Sequence, residues 1–552
     1  MFVLAVILAL GLGVRGMVGH APVSPAQPVS LSPGLLPLYT LRTVIRMLAA
    51  MLASLLFTFT YATVAAKNRW AAMVLIPLLD VLQSVPVLGY LSFTVLFFVD
   101  LFPGNSLGPE LAAVFAIFTS QAWNMAFSFY QSLRTVPREL DEASRSMRAS
   151  AWQRFCRLEV PFAIPGLVWN MMMSMSAGWF FVVASEAIVV GNTQIALPGI
   201  GSYVARAIET RNLAAVGWAI AAMLAAVTLY DQLLFRPLVI WAGKFRFEQS
   251  APQAPGKSWV INFLGQSSTL RRLAAPCSQL LQQLARARLS LPAKVRQLPL
   301  WQGSRPLAIV VASALGMTLV AWVAWQLIHS ASTHLAAGDY LTVARNGALT
   351  FVRVLVLVAI ASVVWVPIGV AVGLRPRLTR MIQPIAQFLA AFPANLLFPV
   401  AVYTIVHWQL SPRLWLMPLM ILGTQWYILF NVIAGASAFG NDLREAAATY
   451  RVRPAKWWRQ VMLPGIFPYY ITGAITASGG CWNASIVSEW VSWGHTRLDA
   501  SGLGAYIAEQ TQAGDFPRIG LGIAMMSAMV VAMNRLLWRP LYRLSERRTR
   551  LD

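Results

Sequence analysis

Charge is the first thing this chain is short of. Charged residues fill 11% of its 552 positions and apolar ones 58%, a balance outside that of a soluble globular domain. Cysteine is scarcer still: Cys156, Cys277 and Cys481 lie far apart and form no CxxC pair, so neither a disulfide frame nor a cysteine metal site is implied. The histidines His20, His329, His334, His407 and His495 have no HxxxH spacing, and no metal site is expected from them. No Gly-x-Ser-x-Gly and no clustered Ser/His/Asp set occurs, which removes the hydrolase reading and leaves no catalytic residue and no cofactor to name. A phosphate-cradling loop is also missing. Its nearest approach, Pro255-Gly256-Lys257-Ser258, has Ala251 where the first glycine is needed and no strand before it.

What the chain has in abundance is apolar length. Its mean hydropathy is +0.61, and stretches of about 20 apolar residues, enough to cross a hydrocarbon core, recur along most of it. Candidate spans fall at about 2–19, 38–66, 71–101, 107–133, 166–190 and 212–241, then at about 306–328, 344–374, 380–406, 413–437, 468–493 and 516–539. The first reads as a membrane span, with a cleaved signal as its alternative. These blocks define a first membrane domain over 1–242, a linker over 243–305 and a second membrane domain over 306–552. Within the linker, 279–288 reads as a surface amphipathic helix or as a solvated connector.

The 43 Lys and Arg against 20 Asp and Glu give a net charge of +23. The bases cluster between the spans, at Lys67/Arg69, 134–157, 244–305, 375–380, 444–459 and 535–550, while the 20–37 and 101–111 loops are almost free of them. That is the bias of cytoplasmic loops, which places both termini and the linker inside the cell. Nucleic acid is not indicated, because no basic run interleaves with aromatics on a soluble surface. Trp365, Trp408 and Trp426 read as interfacial belts and packing.

The two blocks are copies of one another. At a constant offset of 303, Trp123 matches Trp426, Phe127 matches Phe430, Glu142-Ala143 matches Glu445-Ala446, Pro161 matches Pro464 and Trp179 matches Trp482. The series continues through Ser185-Glu186 and Ser488-Glu489, Gly201 and Gly504, Tyr203 and Tyr506, and Arg236-Pro237-Leu238 and Arg539-Pro540-Leu541. Upstream the offset is 307, pairing Arg46 with Arg353, Pro77 with Pro384 and Pro86 with Pro393. Each half begins on the same side, so the repeat is parallel and the halves surround a path along the membrane normal.

After the fourth span of each half comes the same cytoplasmic loop. It runs Glu142-Ala143-Ser144, three residues, Arg148, nine residues, then Leu158-Glu159-Val160-Pro161. Its copy runs Glu445-Ala446-Ala447, three residues, Arg451, nine residues, then Val461-Met462-Leu463-Pro464. This resembles the EAA loop of binding-protein-dependent ABC importer permeases: Glu-Ala-Ala, three residues, Gly, nine residues, Ile-x-Leu-Pro. Arg148 and Arg451 stand where that family has glycine. Small helix formers and the stop expected at Pro161 or Pro464 suggest a short stiff helix able to transmit force.

The resemblance implies an all-α integral membrane protein of two tandem six-helix permease domains of the type I importer class, about 12 spans in all, in the bacterial inner membrane. It implies no enzyme activity in this chain. It also implies two separate ABC ATPase subunits, one on each loop with Glu142 and Glu445 in charged contact, and a periplasmic or lipid-anchored solute-binding protein outside. The bases around the loops face those subunits or lipid phosphates, or simply mark the inner face. The glycine-rich stretches 199–203 and 502–506 and the proline-broken third spans resemble the nitrate/sulfonate/taurine branch, which implies a small anion as solute. Glu186 and Glu489, with Ser185 and Ser488, sit in apolar spans where a carboxylate is costly. They line or gate the path, or they are structural hydrogen-bonded carboxylates. A secondary transporter with internal repeats and a non-transporting membrane scaffold are the rival readings.

Overall fold

The computed structural model describes residues 29–190, 193–245, 335–438 and 449–549, with isolated linker positions 276, 279 and 283. The spans expected at about 2–19 and 306–328, the rest of the linker with its helix over 279–288, and Glu445, Ala446 and Ala447 lie outside the described residues.

Proline and asparagine set the helix boundaries of the first half. The long apolar helix α1 (Leu36–Lys67) ends at Asn68, whose Oδ1 then caps α2 (Arg69–Ser84) by accepting the N–H of Trp70 at 3.0 Å and of Ala71 at 3.4 Å. Pro86 holds Val85 in an extended conformation, so the single span expected over 71–101 is two shorter helices, α2 and α3 (Val87–Leu101). Then follow α4 (Leu107–Arg134), the short α5 (Arg138–Ser146) and α6 (Val160–Glu186). The last span of the half is α8 (Leu213–Phe245), reached through a hairpin β1 (Ala187–Val190) and β2 (Thr193–Ala196) and the helix α7 (Ile200–Glu209).

The second half repeats this order. It runs α9 (Ala337–Gly373), α10 (Pro376–Ala391), α11 (Ala394–His407), α12 (Pro412–Leu422), α13 (Gln425–Ser437), α14 (Leu463–Ser488), β3 (Trp490–Trp493), β4 (Thr496–Asp499), α15 (Leu503–Ala513) and α16 (Phe516–Leu544). At Phe392-Pro393 the chain again turns extended, and α10 and α11 meet at 75°. Among the described residues six helices are long and apolar enough to cross a membrane, or eight if each bent pair counts as one span. The two hairpins are the small exception to an all-α fold. They correct the expected fifth spans, which stop at Glu186 and Ser488 instead of running to 190 and 493. The backbone there leaves the helix to pair Ala187 with Ala196 and Trp490 with Asp499.

The halves are interlocked. The apolar core around α6 takes in Phe392, Leu396 and Leu419 of the second half, and the core around α14 takes in Leu88, Leu91 and Val95 of α3. Backbone polar groups cross the same boundary. Val87 N–H donates to Asn483 Oδ1 at 2.8 Å, Asn395 Nδ2 to the Phe180 carbonyl at 3.0 Å, and Ser176 Oγ to the Ala390 carbonyl. At the other end, Gly494 at the tip of the second hairpin donates its N–H to the Ile208 carbonyl of α7 at 3.0 Å.

Close approach explains two matched glycines. A Cβ on Gly201 would strike the Val183 carbonyl, and one on Gly504 the backbone of Ser485. Neither obstacle is a flexible side chain, so Gly201→Ala and Gly504→Ala are each expected to lower the thermal midpoint of the purified chain, while Gly217→Ala, in open space, leaves it unchanged. Differential scanning fluorimetry in detergent is the check.

Candidate functional site

Each half holds a buried ion-pair clamp, a cavity lies between the halves, and turns follow the Glu-Ala motif positions.

The clamp begins with a cation and an anion that hydrocarbon would reject singly. Arg46 on α1 and Glu186 at the end of α6 are fully buried. Arg46 Nη1 donates to Glu186 Oε1 at 2.7 Å, while its Nε and Nη2 donate to the two oxygens of Glu110 at 2.6 and 2.7 Å. Thr43 Oγ1 donates to Glu186 Oε1 at 2.6 Å and accepts the N–H of Ile200, and Gly201 N–H donates to Glu186 Oε2 at 2.7 Å. The carboxylate thus sits on the N-terminus of α7, where unpaired N–H groups and the helix dipole favour an anion. A side chain at Gly199 would collide with that carboxylate, which is why the stretch 199–201 carries glycine.

The second half builds the same object. Arg353 Nη1 donates to Glu489 Oε1 at 2.9 Å and Nη2 to the Ala500 carbonyl. Thr350 Oγ1 donates to Glu489 Oε1 at 2.9 Å and accepts the N–H of Leu503, and Gly504 N–H donates to Glu489 Oε2 at 2.8 Å. Glu110 has no carboxylate counterpart bonded to Arg353 among the described residues; hydropathy assigned it to an outer loop, yet it lies buried in the first turn of α4. Ser185 Oγ turns back to the Val182 carbonyl, and Ser488 is buried without a partner for its Oγ. None of Ser185, Glu186, Ser488 and Glu489 lines the cavity. Sequence reading noted Arg46 and Arg353 only as a repeat match. The missed signal was a matched Arg and a matched Glu, both in apolar spans, with Thr43 and Thr350 also at offset 307.

Between the halves lies a cavity of about 950 Å³. Both proline breaks reach it, at Val85–Val87 and at Phe392 and Ala394, as do α6 and α14. Among the described residues its wall includes Thr119, Asn124, Thr424, Thr476, Asn483 and Asn534 and three arginines (Arg535, Arg539 and Arg543).

The motif turns explain the arginines that replace glycine. In α5, Glu142 and Ala143 are exposed, and Ser144 Oγ donates to the Asp141 carbonyl. The helix closes as Arg148 N–H donates to the Arg145 carbonyl and Ala149 N–H to the Ser144 carbonyl, the paired bonds of a left-handed C-terminal turn. Arg148 and Arg451 hold φ of 53° and 45°, so the family's glycine position is a left-handed one, and arginine occupies it in both copies. Pro161 and Pro464 do not stop the motif segment as expected. Each lies in the first turn of its long span behind a π-helical turn, Phe155–Glu159 or Trp457–Met462. The Arg148 turn ends the segment instead. Ser150 then starts the next helix with a reciprocal cap to Gln153.

Doubled apolar helices around one shared polar cavity, with matched turns on one side, are the build of a membrane permease. The chain belongs to the binding-protein-dependent transport system inner membrane component family, whose model matches it twice, over residues 59–235 and 365–551. It is accordingly a fused pair of inner-membrane transport domains, a transport component rather than an enzyme. It is 28% identical over 177 residues to the bicarbonate transport system permease protein CmpB of Synechococcus elongatus, covering 32% of this chain and 60% of that protein. It is 22% identical over 184 residues to the nitrate import permease protein NrtB of Leptolyngbya laminosa, covering 33% and 62%. It is 31% identical over 137 residues to the glycine betaine/proline betaine transport system permease protein ProW of Escherichia coli, covering 25% and 36%. The chain spans less than two thirds of the length of these relatives, and no solved structure matches it.

Removing one member of a buried ion pair strands a charge at a cost of about 3–5 kcal/mol, whereas replacing both by apolar groups costs far less. Arg353→Met and Glu489→Met are therefore each expected to cut the folded, detergent-extracted yield severely, and the double variant to recover most of it, as read by size-exclusion fluorescence. At the motif turn, Arg148→Gly is expected to be tolerated. Arg148→Val, whose branched Cβ resists the left-handed region, should cost about 1–2 kcal/mol in local stability, seen as faster amide exchange across 142–150.

Proposed function

We propose that this chain supplies both membrane halves of an ATP-binding-cassette importer, with domains over 1–242 and 306–552 joined by a cytoplasmic linker over 243–305. Two separate ATPase subunits dock on the inner face, one on the loop of Glu142, Ala143, Ser144, Arg148 and Pro161, the other on that of Glu445, Ala446, Ala447, Arg451 and Pro464. A solute-binding protein delivers solute on the outer face. ATP-driven closure of the ATPases moves the turns, and alternating access carries the solute through the central cavity.

The observation that carries this reading is the doubled motif with its left-handed arginine in both copies. A stiff helix closed by a fixed turn transmits displacement to the span beyond it. In the first half that span begins behind Asp141, which pairs with Arg154 at 3.1 Å and Arg145 at 2.8 Å, so helix and following turn are tied together. Glu186 and Glu489 act in this reading as structural anchors for the outer helix ends, since both are sealed in ion pairs. The solute is a small anion. Three arginines in the cavity wall favour one, and the relatives named for bicarbonate and nitrate agree with it.

Charge reversal at both docking loops is the decisive experiment. The double variant Glu142→Lys/Glu445→Lys is expected to lose co-purification with the ATPase subunits and to lose ATP-dependent uptake of nitrate or bicarbonate into proteoliposomes. Unchanged uptake in that variant removes the mechanism.

A further inference from the structure

The first half carries a charged contact at its inner end where the second half has apolar residues. Lys67, the last residue of α1, places its Nζ 2.9 Å from Glu159 Oε2 and 5.1 Å from the centre of the Phe155 ring. Both partners lie in the π-helical turn Phe155–Glu159, between the motif turn and α6. An ammonium is attracted by the face of an aromatic ring, so one turn holds one cation in two ways. At the matched positions the second half has Leu374, Trp458 and Met462, all three part of its apolar core or packed against it.

Side-chain contacts run on from this point to the Glu-Ala motif. Phe155 packs on Trp152 with ring centres 5.9 Å apart. Beside it Arg154 pairs with Asp141 at 3.1 Å, and Asp141, the residue before Glu142, pairs with Arg145 at 2.8 Å. The inner end of α1 is thereby connected to α5. Toward its outer end α1 is held as well, because Arg46, about 32 Å of helix away from Lys67, pairs with Glu186 and Glu110. Glu159 directly precedes α6 and Glu186 ends it, so charge joins α1 to both the base and the tip of the fifth span. The inner pair is the open one. The Lys67 side chain is 42% exposed and that of Glu159 19%, and an ion pair so accessible to water adds little to stability. What it can do is fix where one element sits against another.

We propose that Lys67 and Glu159 are positioning residues for coupling to the ATPase: they register the first docking segment on α1, so that a push on α5 moves α1 and α6 as one body. The inference rests on the permease reading and deepens it. In the second half Leu374 and Met462 stand at those positions without charge, so the two docking loops pass motion to their spans through different contacts.

The test uses the full chain with its ATPase subunits in nanodiscs, its three native cysteines changed to alanine and spin labels placed through Val64→Cys and Ala151→Cys, both exposed positions. The matched pair Ala371→Cys and Pro454→Cys, also exposed, reports on the second half. Electron–electron distances are compared between the nucleotide-free and the ADP–vanadate-trapped complex. With Lys67 and Glu159 intact, the first-half distance is expected to stay the same on trapping. In Lys67→Met and in Glu159→Gln it should shift or broaden, and no further in the double variant, since residues that act through one contact are not additive. Lys67→Arg, which keeps the charge, should restore the unshifted distance, and the second-half pair should respond to none of these changes. On the chain alone, amide exchange over 151–160 should be at least threefold faster in Lys67→Met, with the thermal midpoint held. A shift on trapping with the pair intact, distances indifferent to both single variants, additive effects, or unchanged exchange overturns the proposal. The exchange measurement needs no ATPase, and loss of co-purification in the charge-reversed loop variant is read separately, so failure of the permease reading is told apart from a contact that does not position.

Discussion

The ends of the fifth spans hang on two guanidinium–carboxylate pairs, Arg46 with Glu186 and Arg353 with Glu489, whose charges could not be buried there alone. An isolated charge in a membrane interior is expelled or neutralised; a charge held by an opposite charge and by helix N–H groups is kept. Arg46 and Arg353 bring the first described helix of each half against the end of the fifth span. Glu186 and Glu489 then fix where α7 and α15 begin, because each carboxylate caps the N-terminus of that helix. The hairpins are confined between a carboxylate backbone on one side and a capped helix on the other, with Leu197 N–H bonding to the Glu186 carbonyl and Ala500 N–H to that of Glu489.

Beyond that anchor the chain has two kinds of break in its helices. Proline breaks at 86 and 393 place extended backbone beside the cavity, where helix cannot continue, and side-chain hydrogen bonds join each to the opposite half. The motif turns at 148 and 451 lie on the other side and hold a left-handed arginine.

The two halves are alike at some positions and unlike at others. Elements that must work in pairs have stayed alike across the repeat, down to Thr43 with Thr350 and Gly199 with Gly502. Elsewhere the matched positions differ: Phe180 and Asn483 both line the cavity, whereas Asn534 and Trp538 line it and their counterparts Asp231 and Phe235 do not.

Composition and periodicity alone determined that the chain crosses a membrane repeatedly, that it is a parallel duplication, and that a matched, base-rich loop in each half carries the Glu-Ala motif. These are local or one-dimensional properties, read from apolar run length, from a constant offset and from residue spacing. Partnerships were another matter. That Arg46 finds Glu186 and Glu110, that Pro161 sits inside a helix while Arg148 makes the turn, that the fifth spans end in hairpins, and that α3 packs into the other half were decided only in three dimensions. The physical reason is that burial and pairing depend on which faces meet across more than a hundred residues, and a hydropathy trace records how apolar a segment is without recording what it touches.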